Sequence, residues 1–179
     1  WLNQFLMLLL HIKINMKKIY KNDNRPIGVF DSGLGGLTVL QSLIEYLPNE
    51  NFIYLGDLIN LPYGNKSKKS ILQYALDCAQ FLISKDVKCI IIACNTASAI
   101  AHKTIKKFTK IPVFDVITPC VEEVCKVKKK NILILGTQKT IESDIYSQLI
   151  KKNKTDIKVY NIACPLFASI VEEGLENTL

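Results

Sequence analysis

Cys94 stands in the run Ile-Ile-Ile-Ala-Cys-Asn-Thr-Ala-Ser (residues 90–98), where a strongly apolar segment ends and small residues that suit a helix begin at once. A thiol so placed sits at a helix N-terminus, where the backbone dipoles stabilise its anion. Asn95 and Thr96 beside it are neutral donors that can hold a carboxylate without a counter-charge. The chemistry on offer is that of a thiol working as acid, base or nucleophile beside an anion-binding turn.

Two earlier turns have comparable content. In residues 27–40, Ile-Gly-Val-Phe-Asp-Ser-Gly-Leu-Gly-Gly-Leu-Thr-Val-Leu, Asp31 and Ser32 end a strand-like run and Gly33, Gly35 and Gly36 open a helix-like one. Glycines there let a carboxylate or phosphate approach backbone N–H groups, although an ordinary tight turn has the same look. The spacing is not a dinucleotide fingerprint, because Thr38 stands where the third glycine belongs, and no P-loop lysine follows. In residues 55–64, Leu-Gly-Asp-Leu-Ile-Asn-Leu-Pro-Tyr-Gly, Pro62 and Gly64 fix a loop shape. Tyr63 is expected either to offer its hydroxyl to a ligand or to pack at the surface, and Gly64 to offer a backbone donor.

These turns need a scaffold. Apolar runs of strand length recur at 27–30, 52–55, 89–93, 113–116, 132–135 and 159–162. Between most of them lie stretches of helical period, such as Leu37, Leu40, Leu43, Ile44 and Leu47, then Leu72, Ala75, Ala79 and Leu82, then Ile141, Ile145 and Leu149. Strand alternating with helix predicts an α/β fold of mostly parallel sheets flanked by helices, with ligands outside the carboxyl ends of the strands. A seam near Ile117-Thr118-Pro119 predicts two related domains, 25–117 and 118–179, the second of them incomplete. The turn Leu135-Gly136-Thr137-Gln138-Lys139-Thr140 is polar and glycine-bearing like the turn after Phe30.

Composition narrows the classes. The 179 residues are 49% hydrophobic and 22% charged, enough to bury a core. The net charge of +7 is spread over scattered lysine pairs and the cluster Lys128-Lys129-Lys130, with no aromatic-interleaved stripe, so no nucleic-acid partner is expected. Six cysteines show no C-x-x-C spacing and only two histidines accompany them, so no metal is expected. Without a credible signal peptide, reduced thiols in a cytoplasmic protein are the expectation. Residues 1–24 are expected to be a disordered or non-native extension; their apolar part, 5–12, is far shorter than the ~20 residues of a membrane span, and no membrane partner is expected.

Taken in order, D-S-G-x-G-G-x-T-V, P-Y-G and C-N-T-A-S resemble the glutamate racemases of the aspartate/glutamate racemase superfamily. The resemblance continues through Leu135-Gly136-Thr137 with Thr140, through Ala163-Cys164-Pro165-Leu166-Phe167, and through Val171-Glu172-Glu173-Gly174-Leu175. Each motif is weak alone, and the ordered set is specific. The resemblance implies interconversion of L- and D-glutamate without pyridoxal phosphate or any other cofactor, supplying D-glutamate for peptidoglycan. It implies that Cys94 is one of two thiols flanking the substrate α-carbon and that Asp31 supports its proton transfer. It implies further that Ser32, Pro62, Tyr63, Gly64, Asn95 and Thr96 bind the amino acid, with Thr137 and Thr140 lining the pocket from the second domain. Glutamate is then the small-molecule partner, and a homodimer is a candidate assembly.

The chemistry agrees, since inverting a stereocentre needs a base on one face of the carbon and an acid on the other. A thiol, with a reference pKa of about 8.5, can be tuned to either role near neutrality. The family's second cysteine motif, Gly-Cys-Thr-His, does not occur in these residues, and Cys164 matches a different segment. The chain is therefore expected to be a fragment that is inactive alone. The alternatives are an aspartate or hydantoin racemase, a non-catalytic amino-acid-binding protein, and a thiol hydrolase using His102; that histidine lies two helical turns beyond Cys94 and is expected to serve only packing or the surface.

Overall fold

The computed structural model describes residues 23–172 and Gly174. The expected N-terminal extension therefore lies almost wholly outside the described residues, as do Glu173 and Leu175. From the amino end run β1 (Ile27–Asp31), α1 (Gly36–Tyr46), β2 (Phe52–Gly56), a 3₁₀ turn (Tyr63–Asn65), α2 (Lys68–Ser84), β3 (Cys89–Ile92) and α3 (Asn95–Phe108). There follow β4 (Val113–Asp115), α4 (Ile117–Lys126), β5 (Asn131–Gly136), α5 (Gln138–Glu142), α6 (Ile145–Asn153), β6 (Lys158–Ala163) and α7 (Phe167–Glu172).

The first four strands form one parallel sheet in the order β2-β1-β3-β4. Strand β3 is apolar throughout because both of its faces are covered, and Cys89, Ile90, Ile91 and Ile92 are all fully buried. Alternation sorts the side chains. Ile27 and Val29 of β1 with Cys89 and Ile91 of β3 pack against Val39 and Leu43 of α1. On the opposite face, Phe30, Ile90 and Ile92 pack against α2 and α3 through Ala75, Ala79, Ala97 and Ala101.

This arrangement puts α1, which leaves β1, on one face of the sheet and α3, which leaves the neighbouring β3, on the other. The strand order reverses there, and a crevice opens between the two carboxyl ends, where α/β proteins bind ligands. At the amino ends of the strands the sheet is closed. Lys88, only 1% exposed, donates from Nζ to the Asp23 carbonyl at 2.8 Å and pairs with the Glu50 carboxylate.

Strands β5 and β6 form a separate parallel pair, with Asn131 opposite Lys158 and Gly136 opposite Ala163. One of its faces, with Ile132, Ile134 and Val159, packs on Ile117, Val121 and Ile150 of α4 and α6. The other presents Leu133, Leu135, Tyr160 and Ile162, each about half exposed. The helix expected across 141–149 is in fact two. Asp144 adopts the left-handed region, at φ 54°, and separates α5 from α6; aspartate is one of the few residues that tolerates this conformation. Among the described residues no helix is long and apolar enough to cross a membrane.

Candidate active site

Asp31 closes β1 with its carboxylate turned into the following loop. Its Oδ2 accepts hydrogen bonds from the backbone N–H groups of Gly33, at 3.1 Å, and Gly36, at 3.0 Å. The glycines left two readings open, N–H groups free for a ligand or an ordinary tight turn, and in the structure the chain's own carboxylate takes the N–H groups of Gly33 and Gly36 at the start of α1. Tyr54 pins the same loop by donating from its hydroxyl to the Gly33 carbonyl at 2.9 Å.

Cys94 follows β3 and caps α3. Its Sγ accepts from the Ala97 N–H at 3.4 Å and donates to Ser32 Oγ at 3.3 Å, so the thiol lies across the crevice from the β1 loop. The helix N-terminus was expected to favour the thiolate. Instead burial, with Cys94 only 6% exposed, and the nearby Asp31 charge push the pKa up to about 11, against the smaller downward pull of the Ser32 and Ala97 hydrogen bonds. Burial and the Asp31 charge thus favour the protonated thiol. Alkylation by iodoacetamide, followed by mass spectrometry of the Cys94 peptide, should be slow at pH 7 and rise roughly tenfold per pH unit as the thiolate fraction grows. A rate already level between pH 7 and 8 would show that burial does not dominate.

Pro62 precedes the 3₁₀ turn of Tyr63 and Gly64. Tyr63 is 1% exposed, and its hydroxyl donates to Asp57 Oδ2 at 2.6 Å and lies 3.9 Å from Cys78 Sγ. That burial holds the phenol far above its ordinary pKa. Tyr63 therefore neither offers its hydroxyl to a ligand nor lies on the surface; it anchors the turn from below. Gly64 meets Thr137 so closely that an added Cβ would lie 2.8 Å from the Thr137 Cβ.

Thr137 caps α5, and its hydroxyl joins those of Thr96 and Thr140 in a compact cluster, with oxygen separations of 2.8 Å to Thr96 and 2.9 Å to Thr140. Thr96 and Thr140 are themselves 3.3 Å apart. The structure therefore brings Asp31, Ser32 and Cys94 together in one group and Gly64, Thr96, Thr137 and Thr140 in a second. The start of α3, where Cys94 and Thr96 are two residues apart, joins them. Asn95 is exposed, and its Oδ1 accepts from the Tyr146 hydroxyl at 2.7 Å.

Sequence reasoning missed three side chains that hold these segments in place. Tyr146 sits in an amphipathic helix and carries no local signal. Asp57 and Asp115 had one: like Asp31, each stands at a strand's carboxyl end, in Gly-Asp and Phe-Asp pairs that echo Phe30-Asp31. Asp115 accepts from the N–H groups of Ile117 and Thr118, both at 2.8 Å, and so starts α4. His102 is held in place at both ring nitrogens, with Nδ1 3.1 Å from Asp115 Oδ2 and Nε2 3.3 Å from the Val113 carbonyl. So engaged, it is not disposed to serve Cys94 as a base. A hollow of about 330 Å³ between the loop 57–60 and Tyr74, Cys78 and Phe81 of α2 contains none of the expected site residues. Among the described residues no three histidine, cysteine, aspartate or glutamate side chains gather to hold a metal.

Residues 27–177 match the family model Asp/Glu/Hydantoin racemase. The chain belongs to this family. Among curated members, the glutamate racemase of Lactococcus lactis is 46% identical over 153 residues, or 85% of this chain and 56% of the relative. That of Aquifex aeolicus is 47% identical over 150 residues, 83% of this chain and 58% of the relative. The crystal structure of Francisella tularensis glutamate racemase in complex with D-glutamate matches with a TM-score of 0.81 and 49% identity, covering 84% of this chain and 57% of that one. An aspartate racemase homologue from Pyrococcus horikoshii, 18% identical with a TM-score of 0.54 over 85% of this chain and 70% of its own, shares the fold. The expected α/β fold of parallel sheets flanked by helices is thus the fold of the family. The chain spans a little over half the length of the curated relatives it matches.

Proposed function

We propose that the whole protein interconverts L-glutamate and D-glutamate without a cofactor, by proton transfer at the α-carbon between two thiols, of which Cys94 is one. The observation that carries this reading is the position of the Cys94 thiol in the crevice between β1 and β3, hydrogen-bonded to Ser32 and influenced by Asp31. Its support from outside the chain is the set of relatives named glutamate racemase, one of them crystallised with D-glutamate.

In this reading one sulfur, as thiolate, removes the α-proton, and the second thiol delivers its own proton to the opposite face. The electron pair rests on the substrate between the two steps. A substrate ammonium entering beside Cys94 would offset the Asp31 charge and favour the thiolate, opposing the burial that raises the thiol's pKa. Ser32, Gly64, Asn95, Thr96, Thr137 and Thr140 supply polar groups for the carboxylates, and Pro62 and Tyr63 shape the turn that presents Gly64. Hydrogen-bond donors held at the α-carboxylate stabilise the charge that develops as the carbanion forms. Residues 25–117 and 118–179 are read as parts of two related domains with the site between them. The D-glutamate made would enter peptidoglycan, in the cytoplasm, with a homodimer as the candidate assembly.

The 179 residues alone hold no Gly-Cys-Thr-His and would racemise glutamate negligibly. Whole protein incubated with L-glutamate in D₂O should form D-glutamate bearing deuterium at the α-carbon, read by NMR and chiral chromatography. D-glutamate that retains the original α-hydrogen throughout would exclude the two-thiol exchange. Faster racemisation of aspartate than of glutamate would move the substrate to the neighbouring branch of the family.

A further inference from the structure

Asn95 is the exposed polar residue at the start of α3, between Cys94 and Thr96, and its amide has two unlike ends. Oδ1 only accepts and Nδ2 only donates, so an amide turned by 180° presents lone pairs instead of hydrogens. An anionic ligand distinguishes sharply between the two. The contact that bears on the choice comes from α6. Tyr146, the second residue of α6, reaches across to donate to Asn95 Oδ1 at 2.7 Å. Its hydroxyl also lies against the Cys120 thiol of α4, and burial holds the phenol well above its ordinary pKa, so it remains a protonated donor.

We propose that Tyr146 is a positioning residue of the glutamate site: by occupying Asn95 Oδ1 it orients the amide so that the two Nδ2 hydrogens face an incoming carboxylate. This rests on the racemase reading above. It makes the contact between α6 and α3 part of substrate recognition.

In the whole protein, Tyr146→Phe is expected to raise KM for glutamate about tenfold, as befits one well-placed hydrogen bond, while kcat stays within about twofold. In an Asn95→Ala background the same change is expected to do nothing further, since there is no amide left to orient. A tyrosine that only braces the fold would lower both backgrounds alike. Asn95→Asp, which keeps an acceptor for Tyr146 and removes the NH₂ group, is expected to raise KM more than Tyr146→Phe does. An unchanged KM for Asn95→Asp overturns the proposal whatever becomes of the phenylalanine variant. Equal losses from Tyr146→Phe in the two backgrounds, or none in either, also overturn it. If the wild-type protein racemises glutamate in these assays, only the role of Tyr146 has failed; if it does not, the glutamate reading falls and this inference falls with it.

Discussion

Replacing Cys94 by serine is expected to lower kcat for glutamate racemisation in the whole protein by roughly a hundred- to ten-thousandfold, the range that a positioned acid/base group contributes. A hydroxyl is far less acidic than a thiol, so serine can neither exist as the anion that accepts the α-proton nor return it readily. The substitution is also structurally mild. Cys94 is the N-cap of α3, with Sγ accepting from the Ala97 N–H, and serine is among the preferred residues at an N-cap. The Cys94→Ser protein should therefore melt within a few degrees of wild type while losing activity, which separates the chemical loss from a folding loss. Racemisation followed by circular dichroism, with a thermal melt of the same sample, makes the comparison. A kcat unchanged by serine would remove Cys94 from the reaction altogether.

The same residue shows what a sequence carries and what it does not. Its place was legible, because a strand buried on both faces reads as an unbroken apolar run, and Cys89, Ile90, Ile91 and Ile92 form one that ends just before Ala93-Cys94. Its acidity was not legible. The helix N-terminus is a local feature visible in Asn-Thr-Ala-Ser, whereas the burial that overrides it comes from the whole fold closing around the sulfur, with Asp31 brought in from the end of β1. Tyr63 fails for the same reason: Pro-Tyr-Gly announces a shaped turn, yet only packing decides that the hydroxyl turns inward to Asp57. The break between α5 and α6 is of another kind. The apolar positions Ile141, Ile145 and Leu149 keep helical spacing across it, so periodicity cannot register the single left-handed residue Asp144. Contacts between distant segments, such as Thr96 with Thr137 or Asn95 with Tyr146, are written in no local pattern and appear only when β5, α5 and α6 are set beside the start of α3.

The glycines at the start of α1 allow the sharpest structural test, because two neighbours have opposite surroundings. A Cβ added at Gly36 would lie 2.5 Å from the Asp31 Cβ, 2.9 Å from the Tyr54 hydroxyl and 3.1 Å from the Ala93 Cβ. One added at Gly35 would meet only Asp31 Oδ2, at an ordinary 3.9 Å. Gly36 is the first residue of α1, so alanine there gains at most the roughly 0.5–1 kcal/mol it has over glycine in a helix interior, and overpacking a filled site costs about 1–3 kcal/mol. At Gly36 the second effect should win, since two of the three neighbours are Cβ atoms, of Asp31 in β1 and of Ala93 just after β3, that cannot move without shifting the sheet. The third is the hydroxyl that pins Gly33. Gly36→Ala is therefore expected to destabilise this chain by about 1–2 kcal/mol in urea titration, and Gly35→Ala by much less. Activity of the whole protein should fall with stability at Gly36, because displacing Asp31 breaks its bond to the Gly36 N–H and disturbs the strand end that carries Cys94. Equal midpoints for the two variants would mean that the loop after β1 is loose enough to admit a methyl group, and that Asp31 is not held rigidly beside the thiol.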